Sequence, residues 1–73
     1  MMTKTNLPEL ARLSPRELTV LRHLSHGDDA ATIGRLLGLC ETSVRTYLAR
    51  AQKKLKAKNQ THAIAIAMRK RLI

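Results

Sequence analysis

The sequence predicts an all-α domain of four helices organised as a helix-turn-helix. Three observations carry that prediction. Apolar residues recur three and four positions apart in four successive stretches, which is the period of an amphipathic helix. Gly38 stands between the second and third stretches, where a residue free to take positive φ can end one helix and turn the chain sharply into the next. The third stretch presents small polar and cationic residues opposite its apolar stripe. Two helices joined by a tight glycine-containing turn, the second with a polar and basic outer face, make the helix-turn-helix pattern.

Met1 to Arg12 has no sustained periodicity, and Pro8 biases Leu7 away from helix, so residues 1–12 are expected to form a mobile arm. A short helical turn over Glu9–Arg12 is compatible with the sequence. The domain is expected over residues 13–73. Ser14 and Glu17 have capping-box spacing, Pro15 occupies the first helical position, and Leu13 can staple onto Leu18. The first helix continues through Leu18, Val20, Leu21 and Leu24 to Gly27, with Arg16, Arg22 and His23 outward. Asp28 or Asp29 caps the second helix, whose Ile33 and Leu37 point inward with Leu36 beside them. Gly34 in mid-helix costs about 1 kcal/mol relative to Ala, so close packing against a neighbouring helix is its expected reason.

Leu39 plugs the turn, and the third helix starts near Glu41, a favourable charge for that end of the dipole. Cys40 precedes it, and a thiol is a poor substitute for a Ser or Thr cap. Val44, Leu48, Ala51 and Leu55 form the inner stripe. Thr42, Arg45, Thr46, Ala49, Arg50 and Lys53 fall on the other side. Ala57 to Asn59 is a polar break, and Asn59 caps a fourth helix over Gln60–Lys70. There Ile64 and Met68 share one face and are expected to pack on the domain. Ile66 lies about 200° around the axis, on a second apolar side that needs a partner.

Seventy-three residues bound the chain to one domain, small enough that oligomerisation is a common supplement to its core. Fourteen Lys and Arg against five Asp and Glu give a formal charge of +9, which favours a polyanion, nucleic acid before an anionic membrane. A single aromatic residue, Tyr47, argues against modules that stack single-stranded bases on aromatic platforms, so duplex DNA fits better. One cysteine cannot form an internal disulfide, which points to a reducing compartment. The opening segment lacks the pattern of a signal peptide, and the longest apolar run, Ala63 to Met68, is far short of the roughly 20 residues that span a bilayer. A cytoplasmic protein associated with the nucleoid is expected, with no membrane partner.

Chemistry-bearing residues are sparse. No nucleophile, base and orienting group stand in a workable pattern, so no enzyme is expected. His23 and His26 have a metal-compatible spacing, but Cys40 is the only thiol and no fourth ligand matches; neither metal nor cofactor is expected. Arg45 is the first choice for reading a base, because guanidinium pairs bidentately with guanine O6 and N7. Thr42 and Thr46 can meet thymine methyls or phosphates, or be ordinary surface residues. Tyr47 is expected at the helix edge with its hydroxyl toward a phosphate. Lys53, Lys54, Lys56 and Lys58 read either as a phosphate-tracking rim or as a solvated face.

Across residues 12–73 the chain resembles the LuxR/FixJ/GerE-type helix-turn-helix of bacterial transcriptional regulators. The matching residues are Leu13-Ser14-Pro15-Arg16-Glu17, Val20-Leu21, Gly27, Ile33, Leu37-Gly38-Leu39, Ser43-Val44-Arg45-Thr46-Tyr47, Leu55, Asn59-Gln60-Thr61 and the Ala-Ile-Ala tail. The ending Ala65 to Ile73 is similar, more weakly, to the quorum-sensing branch. The resemblance implies a scaffold helix at about 29–37, a recognition helix at about 41–56 in the major groove of an inverted repeat, and a last helix that pairs two protomers. By position it implies base-reading sites at Thr42, Arg45, Thr46 and Ala49, and backbone contacts at Tyr47, Arg50, Lys53 and Lys54. The pairing seam is expected at Ala63, Ile66 and Lys70. RNA polymerase and a longer LuxR-type regulator are the further partners it suggests.

The chain departs from the family pattern in two places. Ala30, Ala31 and Thr32 replace the common Asn-Lys-Glu, removing a phosphate-binding Lys, and Ala49 stands where a polar or basic reader is common. No ligand-binding or phosphoacceptor domain precedes the domain, so an input signal is expected from elsewhere or from the rest of a longer chain. Two functions follow: a homodimeric sequence-specific regulator, or a stand-alone domain that antagonises a longer relative by pairing through its last helix.

Overall fold

Ser14 opens the structure as its spacing to Glu17 dictates. In the computed structural model, which describes residues 13–73, the Ser14 hydroxyl accepts from the Glu17 amide at 3.1 Å and Glu17 Oε1 accepts from the Ser14 amide at 2.9 Å. The arm expected over residues 1–12 lies outside the described residues. Helix α1 spans Pro15–Ser25, α2 Ala30–Leu37, α3 Glu41–Leu55 and α4 Gln60–Arg69, with no strand among the described residues.

The remaining ends explain why the helices stop where they do. Asp29, not Asp28, caps α2: its carboxylate accepts from the Thr32 amide at 2.8 Å. Asp28 instead meets His23 Nδ1 at 3.2 Å, so His23 is half-buried rather than fully outward. Gly38 takes φ +71° and ends α2, and the Leu39 amide returns to the Gly34 carbonyl at 2.8 Å. Cys40 makes no side-chain bond to cap α3. Two non-glycine residues, Lys56 and Arg71, take the same left-handed conformation after α3 and α4, with φ 55° and 58°. Each is followed by an amide that reaches back into the helix, Ala57 to the Gln52 carbonyl and Leu72 to that of Ala67. Asn59 caps α4 by accepting from the His62 amide at 2.8 Å.

The core gathers Leu13, Val20, Leu21, Ile33, Val44, Leu48, Ala51, Leu55, Ala63 and Ala67. Helix α3 lies at its centre and touches each of the other three helices, so its inner stripe is the surface on which the domain closes. Three expectations need correction. The inward face of α4 is Ala63 and Ala67, both fully buried; Ile64 packs against the core from the flank as expected, but Met68 is 59% exposed. Alanines at that i, i+4 pair let the two backbones approach, and the larger residues are left to the flanks. Leu36 is likewise 59% exposed rather than tucked beside Ile33. Gly34 is buried because of the turn and not a neighbouring helix: a Cβ there would sit 2.5 Å from the Leu39 carbonyl oxygen.

Candidate nucleic-acid interface

Once Val44, Leu48, Ala51 and Leu55 are buried, the helical period dictates what α3 shows to solvent. Thr42, Thr46, Ala49 and Lys53 run along the middle of the outer face, all exposed. Cations border this strip. Arg45 stands on one flank, exposed, and gives its guanidinium to Glu41 one turn earlier, with Nε at 3.1 Å from the carboxylate. On the opposite flank lie Tyr47, Arg50 and Lys54. The Arg50 guanidinium sits 6.0 Å from the centre of the Tyr47 ring, a cation–π geometry that orders a side chain otherwise free to sweep. Thr46 donates its hydroxyl to the Thr42 carbonyl at 3.0 Å, which leaves its methyl and oxygen lone pairs for an outside partner.

The two flanks border hollows of different size. Arg45 borders a hollow of about 400 Å³ shared with Asp28, Asp29, Gln60 and Thr61. Tyr47, Arg50 and Lys54 wall a wider groove of about 820 Å³ whose other side is the first turn of α1, Ser14 to Glu17 and Thr19. Lys54 Nζ donates to Glu17 Oε1 at 2.8 Å, and the Glu17 side chain is only 3% exposed. Burial by itself pushes that carboxyl upward. The Lys54 hydrogen bond, the Ser14 amide and the Lys54 charge outweigh it and hold the group below the ordinary carboxylate range. At the head of α3, the Ser43 hydroxyl 3.3 Å from Cys40 Sγ and the first-turn amides hold the thiol below its usual value.

Of the sequence-derived interface residues, the structure brings Thr42, Arg45, Thr46, Ala49, Arg50 and Lys53 onto one continuous exposed face, with Tyr47 and Lys54 half-buried at its edge. The pairing residues are divided. Ile66 and Lys70 meet with Leu55 and Arg69 around a hollow of about 400 Å³. Ala63 is fully buried inside the protomer and has no surface to offer a partner. The Glu17–Lys54 contact joins residues 37 apart and was not read from the sequence, where Glu17 already had a complete role as a capping residue.

Comparison with known proteins places residues 11–67 within the family described as bacterial regulatory proteins, luxR family. The chain is 42% identical over 62 residues to the transcriptional activator protein BjaR1 of Bradyrhizobium diazoefficiens, covering 85% of this chain and 26% of that protein. It is 32% identical over 71 residues to the transcriptional activator protein TraR of Rhizobium radiobacter, covering 97% of this chain and 30% of TraR. The quorum sensing-dependent regulator VjbR of Brucella ovis is 38% identical over 56 residues, 77% of this chain and 22% of VjbR. The aligned part thus spans about a quarter of the length of these relatives.

Proposed function

Because the chain belongs to the luxR family of bacterial regulatory proteins, we propose that residues 13–73 bind duplex DNA sequence-specifically and regulate transcription as a homodimer. The observation that carries this reading is the outer face of α3: Thr42, Thr46, Ala49 and Lys53 along its middle, Arg45 on one flank, Arg50 and Lys54 on the other, and none of the described residues packed over it. A helix of 15 residues with that face suits the major groove, where Thr and Ala side chains let the backbone approach base edges, an Arg can pair with a guanine, and the remaining cations meet the phosphates. Arg45, Thr42, Thr46 and Ala49 are the residues assigned to bases. Tyr47, Arg50, Lys53 and Lys54 are assigned to the backbone.

Pairing is assigned to the flank of α4 around Ile66 and Lys70, which border a hollow with Leu55 and Arg69. Two recognition helices on one face of the duplex then require half-sites about 10 bp apart, centre to centre.

Selection from a pool of random duplexes, followed by gel shift, tests the reading. An enriched inverted repeat bound with a two-protomer shift is expected. A chain that enriches no sequence but removes a longer family member from its site is an antagonist instead, and the recognition assignment is then wrong.

A further inference from the structure

We propose that the groove between α1 and α3 seats a backbone phosphate of the bound duplex, with Arg16 as its ligand from α1. The proposal rests on the DNA-binding reading above and adds a second element to the surface that holds DNA. Arg16 is exposed in the first turn of α1 and lines the groove of about 820 Å³ opposite Arg50 and Lys54. Three cations thus converge from two helices far apart in sequence, which a solvated charge run along one helix does not produce.

Glu17 is the one carboxylate among the lining residues, and it is already occupied. It is buried and accepts from both the Ser14 amide and Lys54 Nζ, at 2.9 and 2.8 Å. The groove therefore keeps a net positive character. Lys54 spends one of three N–H donors on Glu17, and two remain. Arg50 is ordered over the Tyr47 ring, and Thr19 and Tyr47 supply further polar groups to the wall. A helix lying in the major groove runs between two rows of phosphates, and the flank of α3 that faces α1 borders one of those rows. An anion seated there meets Arg16 from one wall and Arg50 from the other. The geometry suits one phosphate of the DNA backbone and carries no base readout.

The test is the salt dependence of binding, measured by fluorescence anisotropy on an enriched and a random duplex. Arg16→Gln is expected to weaken both complexes alike and to reduce the slope of log affinity against log salt by about 0.9 per protomer. Its thermal unfolding is expected to match the wild type, because the side chain takes no part in the capping box. Arg16→Lys keeps the charge and the slope. Arg22→Gln removes the same charge from the last turn of α1 and is expected to leave the slope unchanged. Equal slopes for Arg16→Gln and wild type, or equal falls for Arg16→Gln and Arg22→Gln, overturn the site and leave the DNA-binding reading standing. A wild-type chain that binds neither duplex overturns both.

Discussion

Helices α1 and α4 both dock on α3, and they do so with opposite side-chain sizes. From α1 come Val20 and Leu21, fully buried, and the buried Glu17 that reaches across to Lys54. The inward residues of α4 are two alanines, with its large apolar residues partly or largely in solvent. Burying a Leu or Val side chain stabilises by about 1.5–3 kcal/mol, whereas an alanine contributes little area and mainly allows close approach. The α1 seam therefore buries large side chains and the α4 seam buries small ones. That difference also explains how α4 can be apolar on more than one side while burying only its smallest residues.

Substitutions can break or sharpen this contrast. Leu21→Ala removes a large, fully buried side chain of α1 and is expected to cost about 2–5 kcal/mol in chemical denaturation. Ala63→Leu enlarges a fully buried alanine of α4 and is expected to cost about 1–3 kcal/mol through overpacking. A loss below about 0.5 kcal/mol at that position would show that α4 tolerates separation from α3. Glu17→Ala removes a helix cap and strands the Ser14 amide, for about 1–2 kcal/mol. Glu17→Gln keeps an acceptor for that amide and should recover much of the loss.

The same carboxylate ties the α1 seam to acid. Its folded-state pKa is lowered, so its contribution is fully present above the ordinary value of 4.5. The contribution fades as pH falls through the lower folded value, and a pH series of melts should be flatter for Glu17→Gln than for wild type. Met68→Ala is the smallest expected effect, within about 0.5 kcal/mol at protein concentrations too low for association.

Local chemistry made most of the fold legible. The capping box at Ser14, the turn at Gly38 and the cap at Asn59 each act within a few residues, and all three stand as the spacing predicted. Periodicity also found the inner stripe of α3. It could not choose which face of α4 docks, because periodicity tells which residues share a face and says nothing of how close two helices approach. Ile64 and Met68 are the larger side chains, yet the inward position went to Ala63 and Ala67. The pairing of Glu17 with Lys54 was invisible for another reason, since a contact 37 residues apart depends on how α1 crosses α3. On the candidate interface, the exposed positions of α3 followed from the stripe opposite them. The engagement of Arg45 by Glu41 is an ordinary i, i+4 pairing that the spacing already contained.

Gly34 has a consequence for the angle between α2 and α3. The methyl group it lacks would collide with the Leu39 carbonyl at 2.5 Å, so the turn closes against the bare backbone of the preceding helix. That limit is one of excluded volume. Ion pairs weaken with salt, carboxylates with acid and apolar contacts with cooling, but hard-sphere overlap answers to none of them. The turn between the two helices is thus confined on one side by a boundary that solution conditions do not shift, and only a change of residue can move it.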